Sequence, residues 1–125
     1  MVFQRGNPVV LVVEDEAMIL LDTVDMLENA GVTAIEAANA RQALSILEDQ
    51  SGVDVVFTDI DMPGDMNGLA LAAEIRSRWP AIPVILTSGH MKPELHQLPP
   101  ETSFFSKPYH QRELLTKISE LISSG

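Results

Sequence analysis

The chain has 125 residues, 46% of them hydrophobic, a formal net charge of −10 and no cysteine. That length bounds residues 1–125 to one domain with a single core and no second module. The acidic balance argues against direct binding of nucleic acid or an anionic membrane, and the absence of cysteine excludes disulfides, thiol catalysis and thiolate metal sites. No apolar run reaches the length of a membrane span, and the first one ends in Glu14-Asp15-Glu16, unlike a signal peptide, so a cytoplasmic location is expected.

After a leader to Asn7, Pro8 to Val13 is a continuous apolar run of strand length, the pattern of a strand covered by helices on both faces. From Glu16 to Ala30 the period becomes helical. Ile19, Thr23, Met26, Leu27 and Ala30 form an inward stripe, Asp22, Asp25 and Asn29 lie opposite, and Gly31 closes the helix. A strand over Thr33 to Ala37 follows, and Asn39 can cap a helix from Ala40 to Asp49 with Ala43, Leu44 and Leu47 inward. The third strand spans Val53 to Thr58. Beyond the loop from Met62 to Asn67, a helix from Gly68 to Trp79 is stopped by Pro80, with Leu69, Ala72, Ala73 and Ile75 as core candidates.

Ile82 to Thr87 reads as the fourth strand. Between Ser88 and Thr102 the prolines at 93, 99 and 100 leave room for one or two helical turns at most, starting near Pro93. A short last strand, Ser103 to Ser106, precedes a helix from Tyr109 to Ile122 with Leu114, Leu115, Ile118, Leu121 and Ile122 inward. Strands alternating with helices through right-handed crossovers give an α/β fold. The expected form is a doubly wound five-stranded parallel sheet in the flavodoxin-like order 2-1-3-4-5, with a shortened fourth helix.

In that order the first and third strands are neighbours where the winding reverses, so Glu14, Asp15 and Asp59 meet at one end of the sheet. The fourth strand delivers Thr87 to the same edge, and the fifth delivers Lys107. Carboxylates a few ångströms apart repel by about 4 kcal/mol per close pair at an effective dielectric of about 20, so a cation or protons must neutralise them. All-oxygen ligands with water completing the shell favour Mg²⁺, with Mn²⁺ as the second choice. Such a site draws a phosphoryl donor onto Asp59 as nucleophile, while Lys107 and the Thr87 hydroxyl engage the other phosphoryl oxygens.

Val12-Val13-Glu14-Asp15-Glu16, Thr58-Asp59-Ile60-Asp61-Met62-Pro63 with Gly68, Val84 to Gly89, and Phe104-Phe105-Ser106-Lys107-Pro108 together resemble the receiver domain of two-component response regulators. The resemblance covers nearly the whole chain. It implies that Asp59 accepts a phosphoryl group from a histidine kinase or phosphotransfer protein. It further implies that Asp15 and Asp59 ligate Mg²⁺ directly together with the backbone carbonyl of Asp61, and that Glu14 acts through water. Thr87 and Phe104 match the pair that rearranges on phosphorylation, Lys107 matches the lysine that contacts the phosphoryl group, and the Lys107-Pro108 bond is expected to be cis.

Some positions depart from the family pattern. Glu14 stands where aspartate is usual, Gly68 lies one residue further from Asp59 than is common, and Asp61 adds a fourth carboxylate two residues after the acceptor. Gly89 leaves one side of the pocket open, and Phe104 lacks a hydroxyl. With its fourth helix shortened, the face that often dimerises in the family is expected to dimerise weakly. Met18, Leu20, Leu21 and Val24 add apolar area beyond the inward stripe of the first helix, suited either to a wider core face or to docking a kinase or phosphotransfer protein. The rival class is a haloacid-dehalogenase-like phosphatase using Asp59 and Asp61, in which the first aspartate is nucleophile and the second general acid. Against it, the pair sits on the third strand rather than the first.

Overall fold

The computed structural model describes residues 7–64, 66–90, 98–99 and 101–124. β1 (Val9–Val13), α1 (Ala17–Asn29), β2 (Thr33–Ala37), α2 (Ala40–Asp49), β3 (Val55–Asp59), α3 (Gly68–Arg78), β4 (Val84–Ser88), β5 (Thr102–Ser106) and α4 (Gln111–Ser124) follow in chain order. The sheet runs β2-β1-β3-β4-β5 with every pairing parallel, as the alternation of elements predicts. The short helical turn expected from Pro93 falls outside the described residues. Among the described residues, no helix is long and apolar enough to cross a membrane.

The two-residue period of a strand divides the core in two. Val10, Val12, Val55, Phe57 and Ile85 pack with Leu20, Val24 and Leu27 of α1 and Leu114, Leu115 and Ile118 of α4. Their neighbours Leu11, Val13, Val56, Val84 and Leu86 pack on the other face with Ala43 and Leu47 of α2 and Leu71, Ala72 and Ile75 of α3. The continuous apolar runs in β1, β3 and β4 therefore follow from a sheet covered on both sides.

Local chemistry sets the helix ends. Asn39 and Asn67 cap α2 and α3, each side-chain oxygen accepting from the backbone N–H three residues on, at 2.8 and 3.0 Å. Gly31 follows α1 at φ 89°, a left-handed conformation that costs glycine little. β3 starts two residues later than expected because Asp54 turns its carboxylate onto the N–H of Val9 at 2.8 Å, and it runs one residue further, so Asp59 pairs with Thr87 in the ladder. β4 likewise begins after Pro83, which has no N–H to give and instead accepts from Val56 through its carbonyl. α4 starts at Gln111 rather than Tyr109, because Tyr109 turns inward to meet Phe57 edge-on, with ring centroids 5.8 Å apart.

Of the two readings of the extra apolar area on α1, the wider core face holds for Leu20 and Val24, which leaves Met18 (73% exposed) and Leu21 (50%) outside. Two side-chain expectations are corrected. On α3, Leu71 is buried and Ala73 faces outward, because the helix turns its 68-71-72-75 stripe to the sheet. On α1, Ile19, Met26 and Ala30 are only partly buried, for the same reason of a slightly rotated stripe. Truncating Leu20 to alanine is expected to cost about 2–4 kcal/mol in urea unfolding, whereas Leu21→Ala changes stability by no more than about 0.5 kcal/mol. Equal losses at the two positions would contradict this orientation of α1.

Candidate functional site

The same two-residue period that builds the core builds the site. Val12 pairs with Phe57, Asp59 with Thr87 and Thr87 with Phe105 across four adjacent strands. Two residues on from Val12 and Phe105 lie Glu14 and Lys107. Glu14, Asp59, Thr87 and Lys107 therefore sit on the parity of the α1/α4 side, at the C-terminal ends of their strands, where open α/β sheets bind ligands.

Glu14, Asp15 and Asp59 each present a carboxylate oxygen within 4.8 Å of the others. Glu14 and Asp59 are each 5% exposed, whereas Asp15 is exposed. Both oxygens of Asp59 are held. The Asp61 N–H donates to Oδ1 at 3.0 Å, and the Lys107 ammonium donates to Oδ2 at 2.9 Å. The Lys107 Nζ also lies 3.7 Å from Glu14 Oε1. Glu14 Oε2 accepts from the N–H of Glu16 at 3.0 Å, which turns the glutamate back over the start of α1. Across the ladder, the Thr87 hydroxyl is buried with no hydrogen-bond partner among the described residues, an unusual state for a buried donor.

The electrostatics follow from that packing. Burial holds the Glu14 carboxyl up to about 7, opposed by the Glu16 N–H, with the bond to and charge of Asp59 raising it further. Burial works to lower the Lys107 pKa, but its bond to Asp59 and the charges of Asp59 and Glu14 outweigh this and raise it. Burial also raises Tyr109, which shares a hydrogen bond with Thr23 and feels the Lys107 charge. Among the described residues, Lys107 alone is shown bringing positive charge to the three carboxylates, so a hard divalent cation fits the donor set: all ligands are oxygens, and the misfit to be relieved is negative charge.

The loop after β3 completes the site. Gly68 N donates to Ile60 O at 3.1 Å, and a Cβ on Gly68 would stand 2.3 Å from Asp59 O, so only glycine lets α3 approach the strand end this closely. Asp61 is placed beside Asp59 by its N–H, and its carboxylate accepts from the Ser88 hydroxyl at 2.6 Å. A Cβ on Gly89 would meet the Lys107 stem at 3.8 Å, in ordinary contact. Phe104 lies one ladder position away from Thr87, opposite Leu86, and packs on the α2/α3 side. The Lys107-Pro108 bond is cis.

The sequence did not single out Ser88 or Tyr109. A second hydroxyl directly after Thr87, at a strand tip facing a loop with an extra carboxylate, is the signal that points to Ser88.

The Glu14 shift carries a sign. Its pKa is raised in the folded state, so its contribution to stability is fully present below the unfolded value near 4.5 and is lost as pH rises through about 7. Cation-free protein should therefore lose stability to urea between about pH 5 and about pH 8, and Glu14→Gln should flatten that part of the profile. An unchanged slope in the variant would remove Glu14 as its source.

Residues 10–119 match the response regulator receiver domain family. The chain is 36% identical over 121 residues to the sensor kinase CckA of Brucella abortus (strain 2308), covering 94% of this chain and 13% of that protein. It is 39% identical over 87 residues to the DNA-binding transcriptional regulator NtrC of Salmonella typhimurium, covering 70% of this chain and 18% of that protein. The chain thus spans less than a fifth of the length of these relatives. A response regulator receiver protein from Sinorhizobium medicae WSM419 superposes with a TM-score of 0.87 at 27% identity, covering 97% of this chain and 98% of that one. A CheY-like receiver domain protein from Methanospirillum hungatei JF-1 gives 0.83 at 28% identity, covering 94% and 95%. These matches give no support to the phosphatase alternative. With the family match running from β1 into α4 and the strand-tip motifs gathered in one cluster, the chain belongs to the receiver domains of two-component response regulators.

Proposed function

We propose that residues 1–125 act as one phosphoacceptor module in which Asp59 takes a phosphoryl group from a histidine kinase or histidine phosphotransfer protein. The bond from phosphorus to the donor imidazole nitrogen breaks, and a bond from phosphorus to an Asp59 carboxylate oxygen forms. The imidazole leaves neutral after taking up a proton, and water later releases inorganic phosphate. One observation carries this reading: Asp59 has the Lys107 ammonium at 2.9 Å on one side and, across the ladder, a buried Thr87 hydroxyl with no partner among the described residues. A cation and an unspent donor flanking a buried carboxylate suit the oxygens of a transferred phosphoryl group.

Asp15, Asp59 and the Asp61 carbonyl would hold Mg²⁺, with Mn²⁺ as a substitute, and Glu14 would act through water. When bound, the cation supplies neutralisation of the carboxylates and of the incoming phosphoryl oxygens. Lys107 fixes the acceptor oxygen, and Thr87 and Phe104 form the pair whose rearrangement reports the modified state to a downstream protein. Met18 and Leu21, exposed on α1 close after Asp15, offer the phosphodonor an apolar foothold. The chain is modified once per copy and does not turn over an external phosphoester. A cytoplasmic place of action suits an acidic, cysteine-free chain that takes its phosphoryl group from such donors.

Intact mass after incubation with acetyl phosphate and Mg²⁺ is expected to show one added phosphoryl group per chain, lost with chelator and absent in Asp59→Asn. Catalytic phosphate release from an external ester, without a stable adduct, would overturn the acceptor reading. Mg²⁺ should also raise the unfolding midpoint of the wild type, and Asp15→Asn should diminish that rise.

A further inference from the structure

Ser88, the last residue of β4, is fully buried, and its contacts converge on Asp59 from two directions. Its hydroxyl donates to Asp61 Oδ2 at 2.6 Å, and the Asp61 N–H donates to Asp59 Oδ1. Its carbonyl accepts from the Lys107 N–H at 2.9 Å, and the Lys107 ammonium donates to Asp59 Oδ2. The hydroxyl also accepts from the His90 N–H at 3.1 Å, which fixes the Ser88 rotamer against its own chain. One residue thus joins both groups that hold the acceptor carboxylate.

We infer that Ser88 is a positioning residue for the acceptor site: its hydroxyl tethers the Asp61 carboxylate and so fixes the Asp61 backbone, whose N–H aims Asp59. This rests on the reading of Asp59 as phosphoacceptor only for its kinetic consequence, since the tether itself is a statement about Asp61. The physical need is clear in the charges. A fourth carboxylate beside Glu14, Asp15 and Asp59 that could swing freely would add repulsion next to the acceptor. A hydroxyl bond of 2.6 Å to a carboxyl oxygen is a directional restraint against that. The backbone of Asp61 then stays where its N–H reaches Asp59 Oδ1. Groups that orient a site residue from behind in this way commonly contribute 10- to 100-fold to affinity or activity.

The Ser88→Ala variant removes the hydroxyl at nearly constant volume and keeps the carbonyl bond to Lys107. Two measurements on the full chain test the inference separately from the acceptor reading. By amide hydrogen exchange, Ser88→Ala should lower protection at the Asp61 N–H by about tenfold or more while that of Ile85 and Leu86 is unchanged; unaltered protection at Asp61 overturns the inference whatever the phosphorylation result. In phosphorylation by acetyl phosphate, Ser88→Ala should slow modification by about tenfold in the wild-type background and have no further effect in Asp61→Ala. Equal slowing in both backgrounds would show that Ser88 acts by packing rather than through Asp61, and would overturn the inference too. A wild-type chain that takes no phosphoryl group, with the Asp61 amide still deprotected in Ser88→Ala, would remove the acceptor reading and support the tether.

Discussion

The structure depends on one electrostatic constraint: Glu14 and Asp59 are buried side by side at the ends of β1 and β3, and one ammonium group faces both. Lys107 is 2.9 Å from Asp59 and 3.7 Å from Glu14, so one positive charge is shared between these two carboxylates, with Asp15 beside them. Removing an ion from water costs several kcal/mol even in a relaxed protein, so a partly compensated cluster of this kind is destabilising by itself. The folded chain carries it because the apolar strands beneath supply the stabilisation. β3 is buried along its whole length, and no residue of β4 is exposed either. The site is a cost borne by the core.

That dependence explains why the fold and the gathering of polar groups at the strand tips were legible in the sequence. A parallel strand covered on both faces must be an unbroken apolar run, so Val9 to Val13, Val55 to Phe57 and Val84 to Leu86 announce themselves, and polar residues at their ends stand out as exceptions. Because the sheet repeats every two residues, the strand order alone places Glu14, Asp59, Thr87 and Lys107 on one side. What stayed hidden depended on rotation or on side-chain reach. Leu20 and Val24 against Ile19 and Met26 is a question of about one residue of helix rotation, and a helix with apolar residues around much of its girth does not settle it by pattern. Ala73 and Leu71 differ in the same way. Ser88 was hidden for another reason: its role comes from a bond across to Asp61, 27 residues away, which no local period encodes.

The two sides of the sheet divide the labour. On the α2/α3 side, Ile60 and Met62 are buried in the core, and Gly68 lies against the Asp59–Ile60 peptide, so the backbone of the acceptor loop is clamped from below. On the α1/α4 side Asp59, the Lys107 ammonium and the Thr87 hydroxyl lie together. Tyr109 links that side to the core through Phe57 and Phe105. On the proposed reading, a rigid floor with the reacting groups on the opposite parity is the arrangement in which an added phosphoryl group would displace side chains rather than the strand that bears it.

The displacement then has a preferred direction. β1, β3 and β4 contain almost no solvent-accessible surface, while every residue of β5 from Thr102 to Phe105 is only partly buried and Ser106 is exposed. Density of burial sets local stability, so the two edge strands, β5 and β2 with its exposed Thr33 and Glu36, open before the three central ones. β5 is also the strand that carries Lys107 to Asp59, and Phe104 and Phe105 project from it onto opposite cores. On the proposed reading of Asp59, a change in its charge would alter the pull on Lys107, and through the Lys107 N–H the load would reach Ser88 at the tip of β4. Site and response would then be coupled by covalent continuity along one edge strand and one hydrogen bond to its neighbour, without any long-range path being needed.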